Sequence, residues 1–341
     1  MYKIAIAGAS TLLGKELKDA VSDSTLAAAT FVLLDEDQAL GQLDQVGDEI
    51  TFVQPIAPDS FEHVDFTFFC GSEALTHRHW RSALGAGSTV IDLTGALDEE
   101  PGVLIRSPWL ESVSRAADLF TPAVVPAHPA AIALGLLLEG LQQAGSIKAA
   151  AATLLAPASE FGREAMDELH QQTVSLLSFQ TIPRAVYDAQ AAYNLLTGFG
   201  ESARVSLAGL EARIHRHYDA LGGGRWPLLG LQTIAAPVFH GHAFSISVEF
   251  ERPLEIPLIE DALNGEHIEL ILEDTDSPSN LAATGQNGVL ARMRPMQDGR
   301  NPNQASRLWL WAASDNLRLF AQNAVECALE LRKLRPQGKV Q

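Results

Sequence analysis

Tyr2-Lys3-Ile4-Ala5-Ile6-Ala7-Gly8-Ala9-Ser10-Thr11-Leu12-Leu13-Gly14 is the stretch from which the rest of the chain is read. Tyr2–Ala7 is a short apolar run ending in Gly8, and a helix-period segment follows from Leu12 to Val21. A strand that passes through a glycine turn into a helix is the setting a dinucleotide fingerprint requires. Gly8 permits the tight turn, and Gly14 lets the helix pack closely on the strand. The middle position, where bare backbone approaches a pyrophosphate, is Thr11, whose Cβ and hydroxyl crowd the phosphate or shift its pose. Gly8, Ser10, Thr11, Leu12 and Gly14 are therefore candidate cofactor-binding residues in an altered turn. Two readings stand: a weakened dinucleotide site, or an ordinary strand–helix turn with nucleotide-fold geometry.

Working outward, Phe31–Leu34 reads as a second strand closed by Asp35-Glu36-Asp37. A carboxylate at Asp35 would accept hydrogen bonds from a ribose 2′-hydroxyl and repel a 2′-phosphate, favouring NAD over NADP; the other reading is a solvated acidic turn. Thr51–Val53 is a weaker strand and Val64–Cys70 a stronger one. Gly71 follows at a strand's carboxyl end and joins the candidate cofactor-binding positions, with Cys70 a small buried residue beside it. A helix near Glu73–Leu84 and a buried strand at Ser88–Leu93 continue the alternation. The pattern predicts a Rossmann-like, doubly wound parallel sheet.

From about Ile147 the texture changes. Alternating runs at Lys148–Leu155, Ala243–Glu251, His267–Leu272, Gly288–Arg294 and Leu308–Ala313 are separated by helical segments at Gly162–Leu177 and Arg204–His217. This predicts an α+β domain of mainly antiparallel sheet. A final helix is expected after Ser314, read as its N-cap, with Leu317, Ala321, Ala324, Val325, Ala328 and Leu331 on one stripe. The residues from about Arg335 read as a short frayed tail.

Composition bounds the function. The 24 basic and 42 acidic residues give a formal charge of −18, a field that repels phosphate backbones and anionic lipid. Nucleic acid and membrane are therefore not expected partners; a small-molecule or nucleotide ligand is. Two cysteines, Cys70 and Cys327, build neither a disulfide framework nor a zinc site. The N-terminal residues show no signal-peptide layout, and the longest apolar run, Ala130–Leu138, stops at Glu139. A cytoplasmic location is expected. His240 and His242 alternate as strand neighbours would, but a third metal ligand is not evident and no metal is expected. His215 and His217 read as a wet helix face.

Several segments together resemble the aspartate-semialdehyde dehydrogenase family and the usg-type divergent paralogues within it. Ala313-Ser314-Asp315-Asn316-Leu317-Arg318, followed by Gln322-Asn323-Ala324-Val325, is similar to that family's C-terminal helix opening. Pro237-Val238-Phe239-His240-Gly241-His242 resembles the strand carrying its catalytic histidine, and Val90-Ile91-Asp92 and Ala291-Arg292-Met293-Arg294 add weaker matches. The resemblance implies a dinucleotide-binding-like domain over residues 1–130, a dimerisation-type domain over 131–314, and a helix over 315–333 returning to the first domain. It also implies a homodimer. The family reaction interconverts an acyl phosphate and an aldehyde, using NADP and a cysteine thiolate that forms a thioester before hydride passes at that carbon.

Carried over by position, little of that chemistry remains. His128 stands in Pro122-Ala123-Val124-Val125-Pro126-Ala127-His128-Pro129, at the nucleophile position. Asp98 falls where an arginine is expected after Val90-Ile91-Asp92, Ala235 where a substrate arginine precedes His242, and Ala156 where the loop's glutamine belongs. Only His242 matches an active-site position, as acid–base. Positioning contributes roughly 7–11 kcal/mol of barrier lowering in well-oriented reactions, so the loss extends beyond a nucleophile. The simpler role for His128 is a polar helix cap ahead of Pro129. The expected protein is thus a homologue without the family reaction, acting through binding or interaction, with NAD or NADP binding weakened. The alternative is an NAD(P)-dependent oxidoreductase on another substrate, using His242 without a covalent thioester.

Overall fold

The computed structural model describes residues 2–36, 41–47, 49–110, 117–118, 120–272, 277–297 and 301–334; Asp37 and the tail from Arg335 lie outside these. The chain divides into two units, one reaching Ala127 and resuming at Phe320, the other His128–Leu319. Elements up to Ala127 are β1 (Lys3–Ala7), α1 (Leu12–Ser22), β2 (Thr30–Asp35), β3 (Leu43–Val46), β4 (Glu49–Phe52), β5 (Gln54–Pro55), β6 (Phe66–Phe69), α2 (Glu73–Gly85), β7 (Thr89–Asp92), β8 (Leu104–Arg106) and β9 (Ala123–Pro126). Beyond it come α3 (Pro129–Ala144), β10 (Ile147–Ala156), α4 (Arg163–Leu177), α5 (Leu207–Gly222), β11 (Leu229–Ala235) and β12 (His242–Glu255). They are followed by α6 (Ile256–Leu263), β13 (Ile268–Leu270), α7 (Asn280–Ala283), β14 (Val289–Gln297), β15 (Gln304–Ser314) and α8 (Asn316–Leu334).

In the first unit a seven-stranded sheet runs β5-β2-β1-β6-β7-β9-β8, and every pairing is parallel. Residues alternate between its faces, as the strand period requires. Ile4, Ile6, Phe66 and Phe68 pack with Leu17 and Val21 of α1 and with Phe320, Ala324 and Leu331 of α8. Ala5, Ala7, Phe69 and Val90 pack with Leu75, Trp80 and Ala83 of α2 on the other face. Each fully buried Leu, Ile or Phe contributes about 1.5–3 kcal/mol relative to exposure. A bidentate pair joins Arg106 on β8 to Glu330 on α8, at 2.6 and 3.0 Å. The weak strand expected at Thr51–Val53 exists as β4, but it pairs with β3 in a separate two-stranded sheet.

The second unit carries a six-stranded mixed sheet, β11-β10-β12-β15-β14-β13, with three antiparallel pairings at its centre and a parallel pair at each edge. Phe244, Ile246 and Val248 of β12 and Leu308, Leu310 and Ala312 of β15 point inward and are buried. Ser245, Ser247, Trp309 and Trp311 alternate onto the other face, which is open; Trp309 is 44% exposed and Trp311 37%. Helix α3 is buried from Pro129 through Leu138, consistent with an apolar run with no polar stripe.

Helix caps follow from side-chain oxygens and nitrogens. Thr11 Oγ1 accepts the Gly14 N–H at 2.9 Å and Ser72 Oγ that of Leu75 at 3.1 Å. For α8 the cap is Asp315 rather than Ser314: Asp315 Oδ1 accepts the amides of Leu317 and Arg318 at 3.1 and 3.0 Å. Ser314 is still in β15, with its hydroxyl buried. Helix α5 starts at Leu207, behind the Ser206 cap, later than its periodicity suggested. Among the described residues no helix is long and apolar enough to cross a membrane.

Gly8 holds the least tolerant position in the first sheet. It has φ +91°, and an added Cβ would lie 2.3 Å from Gly71 N. Gly8→Ala is therefore expected to lower stability by at least roughly 3 kcal/mol, because backbone meets backbone as well as an unfavourable φ. Gly87→Ala, at φ +87° with open space around it, should cost only about 1–2 kcal/mol. Equal losses in denaturant titrations of the two variants would contradict the close-approach argument.

Candidate functional site

The first unit's turn lies at the carboxyl ends of β1 and β6, where strand order reverses around β1, the position at which open parallel sheets bind ligands. Its amide groups are largely engaged within the turn. Gly8 and Ala9 donate to Leu34 O at 2.8 and 3.2 Å, Thr11 to Gly8 O at 3.1 Å, and Ser10 to Asp35 Oδ2 at 2.8 Å. The Thr11 hydroxyl lies 2.8 Å from both Gly8 O and Cys70 O while capping α1. Thr11 thus ties the turn to the end of β6. Leu12 and Leu13 begin the helix, and their amides have no acceptor within it.

A dinucleotide's phosphates would meet these two amides and the positive helix end rather than a full cradle. Asp35 accepts from Ser10 and, through Oδ1, from Glu36 at 2.8 Å, yet each oxygen keeps a lone pair for a ribose hydroxyl. These residues fit a dinucleotide held by few phosphate contacts. Glu36 is paired with Arg78 at 3.0 Å on the surface. Burial pushes the Cys70 and Cys327 thiols up, so neither is a thiolate near neutrality.

The second unit holds a buried cluster around one carboxylate. His128 caps α3: its Nδ1 accepts the Ala130 N–H at 3.2 Å, with Pro129 at the first helical position. Its backbone N–H donates to His217 Nδ1 at 2.8 Å, so His217 on α5 is a buried partner and not part of a wet face. His128 Nε2 lies 2.8 Å from Glu160 Oε1, and His242 Nε2, on β12, lies 2.7 Å from Glu160 Oε2. The two imidazole rings are nearly parallel, 6.0 Å apart. His128 is 2% exposed, His242 0%, and the Glu160 side chain 10%.

The hydrogen bonds assign the protons. Because His128 Nδ1 accepts, the neutral ring carries its proton on Nε2 and donates it to Glu160. His242 Nε2 donates to the other Glu160 oxygen, and its Nδ1 is buried without a hydrogen-bond partner. Burial pushes the Glu160 carboxyl up, but attraction to His128 and the hydrogen bonds from His128 and His242 outweigh it and hold the group well below its ordinary value. For His128, burial is the larger effect and pushes its value down despite Glu160, so the ring is neutral near pH 7.

Glu160 has no counterpart among the residues read from sequence. It sits on a 3-10 turn, Ala158–Phe161, whose placement depends on contacts distant in the chain. Ala158 and Ser159 donate to Val238 O and Phe239 O at 2.8 and 2.9 Å. Asn316 Oδ1 accepts from Ser159 Oγ and from Gly241 N, both at 3.1 Å, holding this turn and the entry to β12 together. Ala156 and Ala235 are register partners at the ends of β10 and β11. Asp98 lies in the turn after β7, its N–H donating to Gly95 O at 3.2 Å. His240 precedes β12, so strand alternation does not align it with His242. Among the described residues there is no cluster of three or more His, Cys, Asp or Glu side chains able to hold a metal.

Comparison with known proteins agrees with this architecture. Residues 3–131 match the family described as semialdehyde dehydrogenase, NAD binding domain, and residues 138–319 its dimerisation domain. A USG-1 protein homolog of Pseudomonas aeruginosa is 30% identical over 330 residues, 94% of this chain and 95% of that protein. An aspartate-semialdehyde dehydrogenase of Rickettsia conorii is 25% identical over 97% of each chain. The structure of a probable aspartate-semialdehyde dehydrogenase from Pseudomonas aeruginosa superposes with a TM-score of 0.84 at 26% identity, covering 97% of this chain and 98% of that one. The chain belongs to the semialdehyde dehydrogenase family, as a usg-type member alongside the aspartate-semialdehyde dehydrogenases.

The cluster has a signature in acid. Folded His128 resists protonation while the unfolded chain takes up a proton near the ordinary histidine value of 6.5, so its share of stability falls as pH drops below that value. Glu160, depressed when folded, contributes stability above its unfolded value and loses it as pH falls through the folded one. His128→Asn keeps a capping side chain but removes the titrating ring. The variant should lose less stability between pH 7 and pH 5, by up to about 1.4 kcal/mol per pH unit. Identical pH slopes in urea titrations of the two proteins would exclude a neutral buried His128.

Proposed function

We propose that this family member does not carry out the thioester reaction and acts through binding. One observation carries the reading: the residue at the nucleophile position, His128, caps α3 with Nδ1 and holds Glu160 with Nε2. An imidazole attacking an acyl group needs a free ring lone pair, and the one on Nδ1 is used for the Ala130 amide. Asp98, Ala156 and Ala235 offer no cationic fork or amide where the resemblance places substrate contacts. Aspartate semialdehyde with phosphate and NADP should give no turnover, and His128→Cys alone should not restore it. Thiol-dependent turnover in that variant would sink the proposal.

A second reading is supported by the His242–Glu160 pair, since a carboxylate-oriented imidazole is the usual form of an acid–base histidine. The protein would then be an NAD(P)-dependent oxidoreductase on another substrate. The cofactor would supply hydride exchange, while Leu12, Leu13 and Asp35 would hold it and His242 would move a proton. Titration with NAD and NADP decides it: no binding of either at millimolar concentration excludes this reading. Asp35 favours NAD over NADP.

We also propose that the chain is a homodimer, through the open face of the β12–β15–β14 sheet. There Trp311 lies between Ser245 and Arg292, and Trp309 between Ser247 and Arg294. Aromatic side chains with flanking arginines are the composition of interface centres. The family described for residues 138–319 is a dimerisation domain. Trp309→Glu with Trp311→Glu should halve the mass measured by light scattering, and an unchanged mass would exclude this face.

A further inference from the structure

We propose that His128 and His242 form a binding site for a small carboxylate, and that Glu160 occupies it as a tethered ligand. Two imidazole N–H groups from different elements, α3's cap and β12, each meet one oxygen of a single carboxylate, at 2.8 and 2.7 Å. Two donors aimed at two separate oxygens suit a planar carboxylate, whereas a halide offers one acceptor point. The two rings bring at most one positive charge, because burial keeps His128 neutral near pH 7. A buried monoanion is then tolerable where a phosphate dianion would be left largely uncompensated. The site therefore selects for a singly charged group of carboxylate shape.

The receptor part of this site does not depend on the Glu160 side chain for its position. The turn backbone is fastened by Val238 O and Phe239 O, by Asn316 through Ser159, and by Phe161, which packs edge-on to Phe199 at 5.4 Å. His128 is held by the start of α3 and by His217, and His242 by the β12–β15 and β10–β12 ladder. Removing the Glu160 side chain beyond Cβ deletes a CH2–COO⁻ group, the size of acetate, and leaves both donors pointing into the space. The natural ligand would be a carboxylic acid small enough to displace the side chain by its rotation. The proposal deepens the binding reading above by naming the ligand's chemistry, but its test does not depend on turnover.

The test uses the full chain with Glu160→Ala. Thermal unfolding is followed in sodium acetate and in sodium chloride at equal ionic strength and pH 7. The expected result is a saturable rise in melting temperature of several degrees in acetate and none in chloride, as for a ligand that binds only the folded state. Wild-type protein, in which Glu160 competes for the two donors, should need a higher acetate concentration for the same rise, and the Glu160→Ala, His242→Phe double variant should show no acetate-specific rise. If Glu160→Ala does not accumulate folded in chloride, its refolding from urea is compared in the two salts, and recovery in acetate alone is the supporting outcome. Equal behaviour in acetate and chloride, folded or not, overturns the proposal. Turnover of aspartate semialdehyde by wild type would overturn the binding reading and leave the acetate result to be judged separately.

Discussion

An ionised carboxylate with nine-tenths of its side chain out of water is unstable unless donors replace the hydration it has lost. Glu160 meets that requirement with two imidazole N–H groups, and much of the second unit's interior is arranged to keep them there. His128 has to sit at the head of α3 with one tautomer, which the Ala130 amide enforces. His217 has to reach across from α5 to the His128 backbone, and Asn316 has to join the Glu160 turn to the glycine before His242. Removing any one of these leaves a buried polar group short of a partner, at about 1–3 kcal/mol each.

The turn in the first unit meets the same demand with fewer charged groups. A ligand-binding turn must leave amides unpaired, yet here Asp35 and Leu34 take three of them and Thr11 spends its hydroxyl on the helix cap and on β6. Thr11 therefore does more than crowd a phosphate. It replaces external contacts with internal ones, so that of the turn and first helical residues only the Leu12 and Leu13 amides are left for a ligand. Gly8 is explained by the close approach of Gly71, and Gly14 by that of the Gly8 carbonyl, whether or not anything binds.

The fold was legible in the sequence because its signals are local. Ile4 and Ile6 against Ala5 and Ala7 encode two buried faces, and the Ser245–Ser247 and Trp309–Trp311 alternation encodes one buried and one open face. The resemblance to a known family located His128 and His242, and the Pro129 position pointed to a cap. Short or low-contrast elements were not legible: β3, β8 and β11 are defined by their partners rather than by their own periodicity. Ser314 and Asp315 could not be separated as caps, because the choice depends on where β15 ends. Glu160 and His217 were missed for a further reason. Their significance is a meeting of α3, a 3-10 turn, α5 and β12, and no spacing within a single segment encodes it; Glu160 reads as a surface acid and His217 as a helix-face histidine until those elements are packed.

Both thiols of this chain are buried and shifted away from ionisation. Chemistry resting on a thiolate is exposed to peroxide, to alkylating agents and to metals that seek sulfur. A polar cluster built from imidazole and carboxylate, in a protein whose two thiols are confined to the core, offers no thiolate to such attack.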